Sequence, residues 1–266
     1  IETGAQPATA KLVREKILNT KTGLEDQADE LETIAANAER ELAEMQERYK
    51  KIKDRDERFR ADMSEYKRRE ELRVTAARAR NDLKKIEANI AARHREFLYV
   101  DNPLRMVIDN NGKYITNDKI DEVFRLIPNT ARANGQNMRI LGTSHRAHAS
   151  TDIYMTKGAG KRTFAHEMGH ILERHDSDML QRSLSFVERR TNGERLQSLS
   201  RLTGINYRSD EKSRPDEFIH PYIGKDYGGR ASEVVSMGLE YFYSNPRRLA
   251  KDDPDMFDFI FNTLRE

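Results

Sequence analysis

The sequence contains no cysteine, which excludes disulfide bonds, thiolate metal sites and cysteine nucleophiles. No apolar run approaches the roughly 18 residues that a membrane-spanning helix needs, and the first residues lack the long apolar core of a signal peptide. The formal net charge is only +2, so we expect no strong field that would attract nucleic acid or an acidic membrane. Because the sequence has no cysteine, any metal must be held by nitrogen and oxygen ligands.

Glycine and proline are absent from Leu24 to Asn102, and a heptad pattern occupies this segment. Charged residues fill most positions between the apolar ones, and the pattern lapses at Asp56 and loses its register after Tyr66. It predicts one continuous helix over 24–100, roughly 110 Å long. The first part of its seam comprises Leu24, Ala28, Leu31, Ala35, Ala38, Leu42, Met45, Tyr49, Ile52, Phe59, Met63 and Tyr66; the second runs from Leu72 to Phe97.

A narrow seam of this length needs another helix to cover it. We therefore expect self-association or a helical partner through residues 24–97, with a helix that folds back on its own domain as the alternative. The preceding segment, 1–23, is predicted to hold a short helix from Thr9 to Leu18, with a break at NTKTG.

The composition changes at Pro103, and we expect a mixed α+β domain over 101–266. LRMVIDNNGKYIT predicts two strands joined by an Asn-Gly turn, and QNMRILGTS predicts a buried strand. Alternating residues from Ala147 to Met155 predict one half-exposed edge strand. A helix is expected from Ala231 to Phe242, after a glycine-rich turn.

The stretch TFAHEMGHILERH contains the pattern His-Glu-x-x-His, formed by His166, Glu167 and His170. Residues four apart share one face of a helix, so both imidazoles can reach one ion while Glu167 points to the neighbouring side. Six residues inside and around the motif are uncharged in a chain where about one residue in three is charged: Phe164, Ala165, Met168, Gly169, Ile171 and Leu172. This favours a buried metal helix over two structural histidines.

A zinc site that keeps one position open for water needs a third protein ligand. Glu233 is favoured because it lies in ASEVVSMGLEYF, a second segment in which a carboxylate is embedded among small and apolar residues. Glu240, two turns further on, is the alternative ligand, or an acceptor for a ligand histidine. His175 and Glu173 are expected to be surface residues. The remaining candidates are His220 and Asp226.

These residues resemble the zinc metallopeptidases of the gluzincin type. The resemblance implies a zincin-like domain with a small mixed sheet and active-site helices, Zn²⁺ held by His166, His170 and Glu233, and Glu167 as general base. The sequence also resembles the lethal-factor-like branch of these enzymes, because a tyrosine lies shortly before the glutamate. In that branch a tyrosine stabilises the oxyanion. That residue would be Tyr227, with Tyr222 as the alternative.

The C-terminal half also resembles metallopeptidase domains of phage minor head and head-morphogenesis proteins, which implies a virion location. The long interval between His170 and Glu233 departs from a compact site and predicts an insertion, about 174–221, over or beside the cleft. We expect a zinc endopeptidase that acts on a protein or peptide, tethered to a helical assembly segment. The alternative is a phage structural or assembly protein whose domain is not proteolytic. Secreted and cytoplasmic locations stay open.

Overall fold

The computed structural model describes residues 9–110 and 112–265. These residues form two compact units. The first contains residues 9–20, 91–110 and 112–265, and the second contains residues 21–90. None of the helices in the described ranges is both long and apolar enough to cross a membrane.

Helices account for most of the regular structure. They are α1 (Ala10–Asn19), α2 (Glu25–Lys51), α3 (Arg55–Arg95), α4 (Asn117–Phe124), α5 (Lys161–His175), α6 (Ser177–Arg190), α7 (Leu199–Thr203), α8 (Val234–Ser244), α9 (Pro246–Asp252) and α10 (Pro254–Thr263), together with a 3₁₀ helix at Pro221–Gly224. The short N-terminal helix is confirmed as α1, where the Thr9 hydroxyl accepts a hydrogen bond from the backbone N–H of Leu12.

The prediction of one continuous helix over 24–100 is wrong, because the chain leaves the helical conformation at Ile52 and begins α3 at Arg55. The Asp54 carboxylate accepts a hydrogen bond from the Glu57 N–H at 2.7 Å, the arrangement of a helix N-cap. The Arg58 guanidinium donates to the carbonyl oxygen of Ile52. Charged side chains thus stabilise a helix break that contains neither glycine nor proline.

Helices α2 and α3 pack as an antiparallel hairpin. Their small apolar core comprises Ala38, Met45, Leu72 and Ala76, flanked by Leu42 and Tyr49. Bidentate ion pairs of Arg68 with Glu41 and of Arg80 with Glu39 join the two helices. The hairpin therefore covers part of its own seam, whereas Phe59, Met63 and Tyr66 of the same seam are exposed. Self-association through residues 24–97 stays a prediction.

The first unit contains a small mixed sheet, as expected. Its strands are β1 (Val107–Asp109), β2 (Asn137–Gly142), β3 (His148–Ala149) and β4 (Ile153–Met155), in the order β1-β2-β4-β3. Strand β2 pairs in parallel with β1 and β4, whereas β3 pairs antiparallel with β4. A separate two-stranded sheet joins β5 (Gln197–Ser198) and β6 (Lys212–Ser213). The mixed α+β class is thus confirmed.

Two strand predictions are wrong. The segment from Ala147 to Met155 is a hairpin, because Asp152 turns inward and its carboxylate accepts hydrogen bonds from the backbone and guanidinium of Arg139. Lys113 to Thr116 form no strand, and the predicted Asn-Gly turn includes Asn111, which lies outside the described residues. Of the predicted edge strand, only β3 lies at the edge of the sheet.

The core of the first unit lies between the sheet and a layer of helices in which α5 packs against α8. The predicted insertion, about 174–221, contributes Met179, Phe186, Leu199 and Phe218 to this core. Its helix α6 begins at Ser177, where the Asp176 carboxylate caps the first turn. Much of this segment is therefore structural, and its first residues also reach the candidate site described next.

Candidate metal centre

Helix α5 carries both motif histidines on one face. The rings of His166 and His170 lie with their centroids 5.1 Å apart and their planes at 82°. Both side chains are partly exposed, whereas Phe164, Ala165, Met168 and Ile171 are buried on the remainder of the helix. The burial that the uncharged residues predict is thus present, and it leaves the two imidazoles at the wall of a cavity.

A close crossing of α5 and α8 brings the third candidate ligand to the histidines. A Cβ atom at Gly169 would lie 2.4 Å from the Cα of Ser236, so only glycine permits the observed approach. Glu233 directly precedes α8 and is only 1% exposed. The glycine inside the motif therefore sets the distance between the two elements that carry the candidate ligands.

The three candidate ligands face one another. The Nε2 atoms of His166 and His170 lie 3.4 Å and 3.3 Å from the same Oε2 atom of Glu233. Ligand atoms of all three residues fall within 4.8 Å of one another, and among the described residues this is the group of His, Asp and Glu that could hold a metal ion. The favoured choice of Glu233 over Glu240 agrees with this arrangement.

Glu240 lies behind His166. Its Oε2 is 2.9 Å from the Nδ1 of His166, and its Oε1 accepts a hydrogen bond from the Nε of Arg162 at 2.5 Å. A proton on Nδ1 that is donated to Glu240 leaves the lone pair of Nε2 directed towards Glu233. Glu240 thus takes the acceptor role that the sequence left as its alternative.

Buried charge shifts the pKa values of this cluster. Burial alone would raise the pKa of Glu233, but His170, His166 and Tyr227 lower it to about 2. Burial also favours a lower pKa for His170, yet the contact with Glu233 outweighs it and raises that pKa. The contact between the two groups therefore favours the charged form of each in the metal-free protein.

Glu167 lies on the neighbouring side of α5 and is 4% exposed. Burial raises its pKa, and the nearby His166 and His170 partly offset this rise. The carboxylate lines the same cavity as the two histidines. Its position and raised pKa suit a group that exchanges protons with a molecule bound there.

Two tyrosines, Tyr222 and Tyr227, line the same cavity as Glu167 and the candidate ligands. The Tyr227 hydroxyl donates a hydrogen bond to Oε1 of Glu233, and burial, together with that carboxylate, raises the pKa of Tyr227. The Tyr222 hydroxyl accepts hydrogen bonds from Arg146 at 2.7 Å and from Lys225 at 3.2 Å. Both tyrosines named from the sequence are therefore at the site, and Tyr227 is the one that contacts a candidate ligand.

The cavity has a volume of about 370 Å³ and opens beside the candidate ligands. Ala147, His148 and Ala149 form one wall, which includes the edge strand β3. The edge of the mixed sheet therefore borders the site, although as a shorter strand than the alternation of the sequence predicts.

The prediction that Glu173 is a surface residue is wrong. It is 5% exposed and accepts a hydrogen bond from the Ser232 hydroxyl, because the close approach of α5 and the segment before α8 covers it. Burial raises its pKa, which Ser232 partly offsets. His175 is exposed, as expected.

The remaining ligand candidates lie outside the group. The Nδ1 of His220 accepts a hydrogen bond from the backbone N–H of Tyr222, so it caps the 3₁₀ helix. Asp226 is exposed, and its carboxylate accepts a hydrogen bond from the Gly228 N–H. Two residues of the site were not predicted from the sequence. Arg146 has as its only signal a position just before the edge strand, and the Ser236 hydroxyl donates to Oε2 of Glu233 at 2.9 Å.

The donor set could hold a metal ion, and two observations are compatible with zinc. Tetrahedral ligands at about 2.0–2.1 Å from zinc lie roughly 3.3–3.4 Å from one another, and the two Nε2 atoms lie 3.4 Å and 3.3 Å from Glu233 Oε2. The neighbourhood also buries four carboxyl groups, those of Glu167, Glu173, Glu233 and Glu240. A cation among them would offset the cost of burying this negative charge.

No protein-family model, curated protein or solved structure matches this chain. The resemblance to gluzincin-type metallopeptidases and to phage head proteins therefore stays a prediction.

Proposed function

We propose that the first unit is a zinc-dependent metalloendopeptidase. The observation that carries the proposal is the placement of the Nε2 atoms of His166 and His170 at 3.4 Å and 3.3 Å from one oxygen of Glu233. Glu167 lies next to them in a cavity that is open to a substrate. The three ligands, the separate carboxylate and the cavity together are the parts that metal-assisted peptide hydrolysis requires.

A zinc ion held by His166, His170 and Glu233 would supply Lewis acidity, which polarises a peptide carbonyl and lowers the pKa of a water molecule. Glu167 would accept a proton from the attacking water and deliver it to the leaving amine. Burial raises the pKa of Glu167 above its ordinary value, which strengthens this carboxylate as a proton acceptor.

Tyr227 would donate a hydrogen bond to the oxygen that becomes negative during attack. Its hydroxyl proton is engaged by Glu233 in this structure, so this role requires the hydroxyl to turn towards the substrate. An extended peptide could pair with the free side of β3, whose residues form a wall of the cavity. Edge-strand pairing would hold the scissile bond beside the candidate ligands.

Metal removal tests this proposal. We expect one zinc ion per chain by elemental analysis, cleavage of a random-sequence peptide pool by the zinc-loaded protein, and loss of cleavage after chelation with recovery on zinc addition. His170→Ala should lose both zinc and cleavage. Zinc binding without cleavage of any peptide or protein would instead favour a non-proteolytic structural or assembly protein, including one carried in a virion.

A further inference from the structure

Three arginines line the cavity beside the candidate metal centre: Arg146, Arg174 and Arg230. We call them the arginine rim. Arg146 precedes β3, Arg174 lies in the last turn of α5, and Arg230 lies in the loop before α8. Three separate parts of the chain therefore direct positive charge towards one cavity.

The arginine rim has no carboxylate partner within the described residues. Arg146 donates to the Tyr222 hydroxyl, and the Nε of Arg230 donates to the carbonyl oxygen of Tyr227. Lys225, the fourth cation of the lining, differs because Glu211 pairs with it at 2.6 Å. None of the three arginines therefore has a direct ion pair within the described residues, in a chain where arginine–carboxylate pairs are common on the surface.

The carboxylates of the cavity do not cancel this charge when a metal is bound. The two positive charges of a zinc ion would offset Glu233 and Glu167. Glu173 remains, but burial raises its pKa, and one of its oxygens is held by Ser232. Three guanidinium groups then face one weakened carboxylate. A concave site with a charge of one sign concentrates ligands of the opposite sign.

Arg146 is the member of the rim with the closest link to the candidate centre. It lines the same cavity as Glu233 and Glu167, and its positive charge interacts with both carboxylates. The guanidinium also packs over the Tyr222 ring, 5.0 Å from its centroid, and one Nη atom donates to the Tyr222 hydroxyl. The other N–H groups of its fork are available, and a guanidinium fork matches the geometry of a carboxylate.

We propose that the arginine rim binds a carboxylate of the peptide substrate, so that the site selects acidic peptides. This inference rests on the proposed function, because it names the substrate class of the same site. The carboxylate could belong to an aspartate or glutamate side chain or to the C-terminus of the peptide, since both present the same group to Arg146. A rim that is only solvated protein surface would show no such selection.

Binding tests the inference without requiring turnover. The zinc-loaded Glu167→Gln protein is titrated with three fluorescent peptides of otherwise identical sequence. The first has a glutamate and an amidated C-terminus, the second a glutamine and a free C-terminal carboxylate, and the third a glutamine and an amidated C-terminus. We expect the first or the second to bind about tenfold more tightly than the third, and which one it is identifies the source of the carboxylate.

Arg146→Gln in the same background should abolish this preference, and added salt should weaken it. The matched control is Arg201→Gln, because Arg201 is exposed on α7 and does not line the cavity; this variant should keep the preference. Equal affinity for the three peptides, or a preference that Arg146→Gln leaves intact, would overturn the inference.

Cleavage separates this inference from the proposed function. If the wild-type protein cleaves peptides without any preference for a carboxylate, the inference fails and the proposed function stands. If it cleaves nothing but still binds the acidic peptide through Arg146, the peptidase proposal fails and the carboxylate site stands. If the peptidase proposal and the carboxylate site are both correct, the ratio of kcat/KM for acidic over neutral peptides should fall to about 1 in Arg146→Gln.

Discussion

Gly169 of the motif helix lies directly against Ser236 of α8, where a Cβ atom at position 169 would come within 2.4 Å of the Ser236 Cα and 2.6 Å of its N. Both nearby atoms belong to the backbone, so a side chain at 169 cannot be accommodated by a rotamer change. The two helices would have to separate, and Glu233 would move away from the histidines with α8.

Gly169→Ala should therefore destabilise the protein by about 1–3 kcal/mol, the usual cost of overpacking a core, and weaken zinc binding. Thermal unfolding and zinc competition measure the two effects. Gly160→Ser is the control, since a Cβ there meets no heavy atom within 4 Å and serine is favoured at a helix N-cap. Unchanged zinc affinity in Gly169→Ala would contradict the role given to this crossing.

Glu240→Gln should raise the Kd for zinc by about 10–100-fold, as expected when the partner of a ligand histidine is lost. The reason is that the amide no longer holds His166 Nδ1 with a full negative charge. Glu233→Gln should be far more damaging, because it replaces a ligand. Isothermal titration with zinc compares the two variants. If Glu240→Gln were the more damaging, Glu240 would be the ligand.

The helical hairpin can be checked by the distance between its two arms. Glu39 and Arg80 form a bidentate ion pair across the hairpin, whereas a continuous helix would hold these positions roughly 60 Å apart. The chain has no native cysteine, so spin labels at Glu39→Cys and Arg80→Cys report only this pair. Pulsed EPR, on labelled protein diluted with unlabelled protein, should give a short distance. A long distance would contradict the hairpin.

Zinc affinity should rise with pH through the neutral range. Burial alone would lower the pKa of His170, but Glu233 raises it above the ordinary value, so protons compete with zinc until the pH exceeds that raised value. The gain approaches tenfold per pH unit for one proton and then levels off. In the metal-free protein, the stability from this contact is complete below the unfolded histidine pKa and is lost as the pH rises through the folded one.

NMR titration of His170 and zinc competition at several pH values measure these two effects. A zinc affinity that does not change across neutral pH, together with a His170 pKa below the ordinary histidine value, would contradict the account.

Local periodicity predicted most of the candidate site. The spacing of His166 and His170 is a property of one helix, and the uncharged surroundings of Glu167 and Glu233 correctly indicated burial. Glu173 was misjudged because its burial depends on Ser232, which is distant in sequence. Arg146 was missed for a similar reason, since only the folded sheet brings it to Tyr222.

The fold was predictable to the level of its class, and two of the errors arose where side chains replace glycine or proline as turn formers. Asp54 caps α3 and thereby ends the predicted long helix. The spacing of Asp54 and Glu57 is that of an N-terminal capping box, so the sequence did contain a signal for a new helix start. Asp152 likewise turns the predicted edge strand into a hairpin through its contact with Arg139. In each segment the apolar periodicity resumes after the turn, with a single lapse at Asp56 in the helical hairpin, and this continuity conceals the turn.

The most direct test of the central claim compares wild-type protein with Glu167→Gln, both at one zinc ion per chain, on the same peptide substrate. Glutamine keeps the size of the side chain but removes the group that accepts and delivers the proton. The account predicts that Glu167→Gln retains zinc and loses at least about 10²-fold in kcat, the lower range for general acid–base catalysis. Full activity of Glu167→Gln with zinc bound would contradict it.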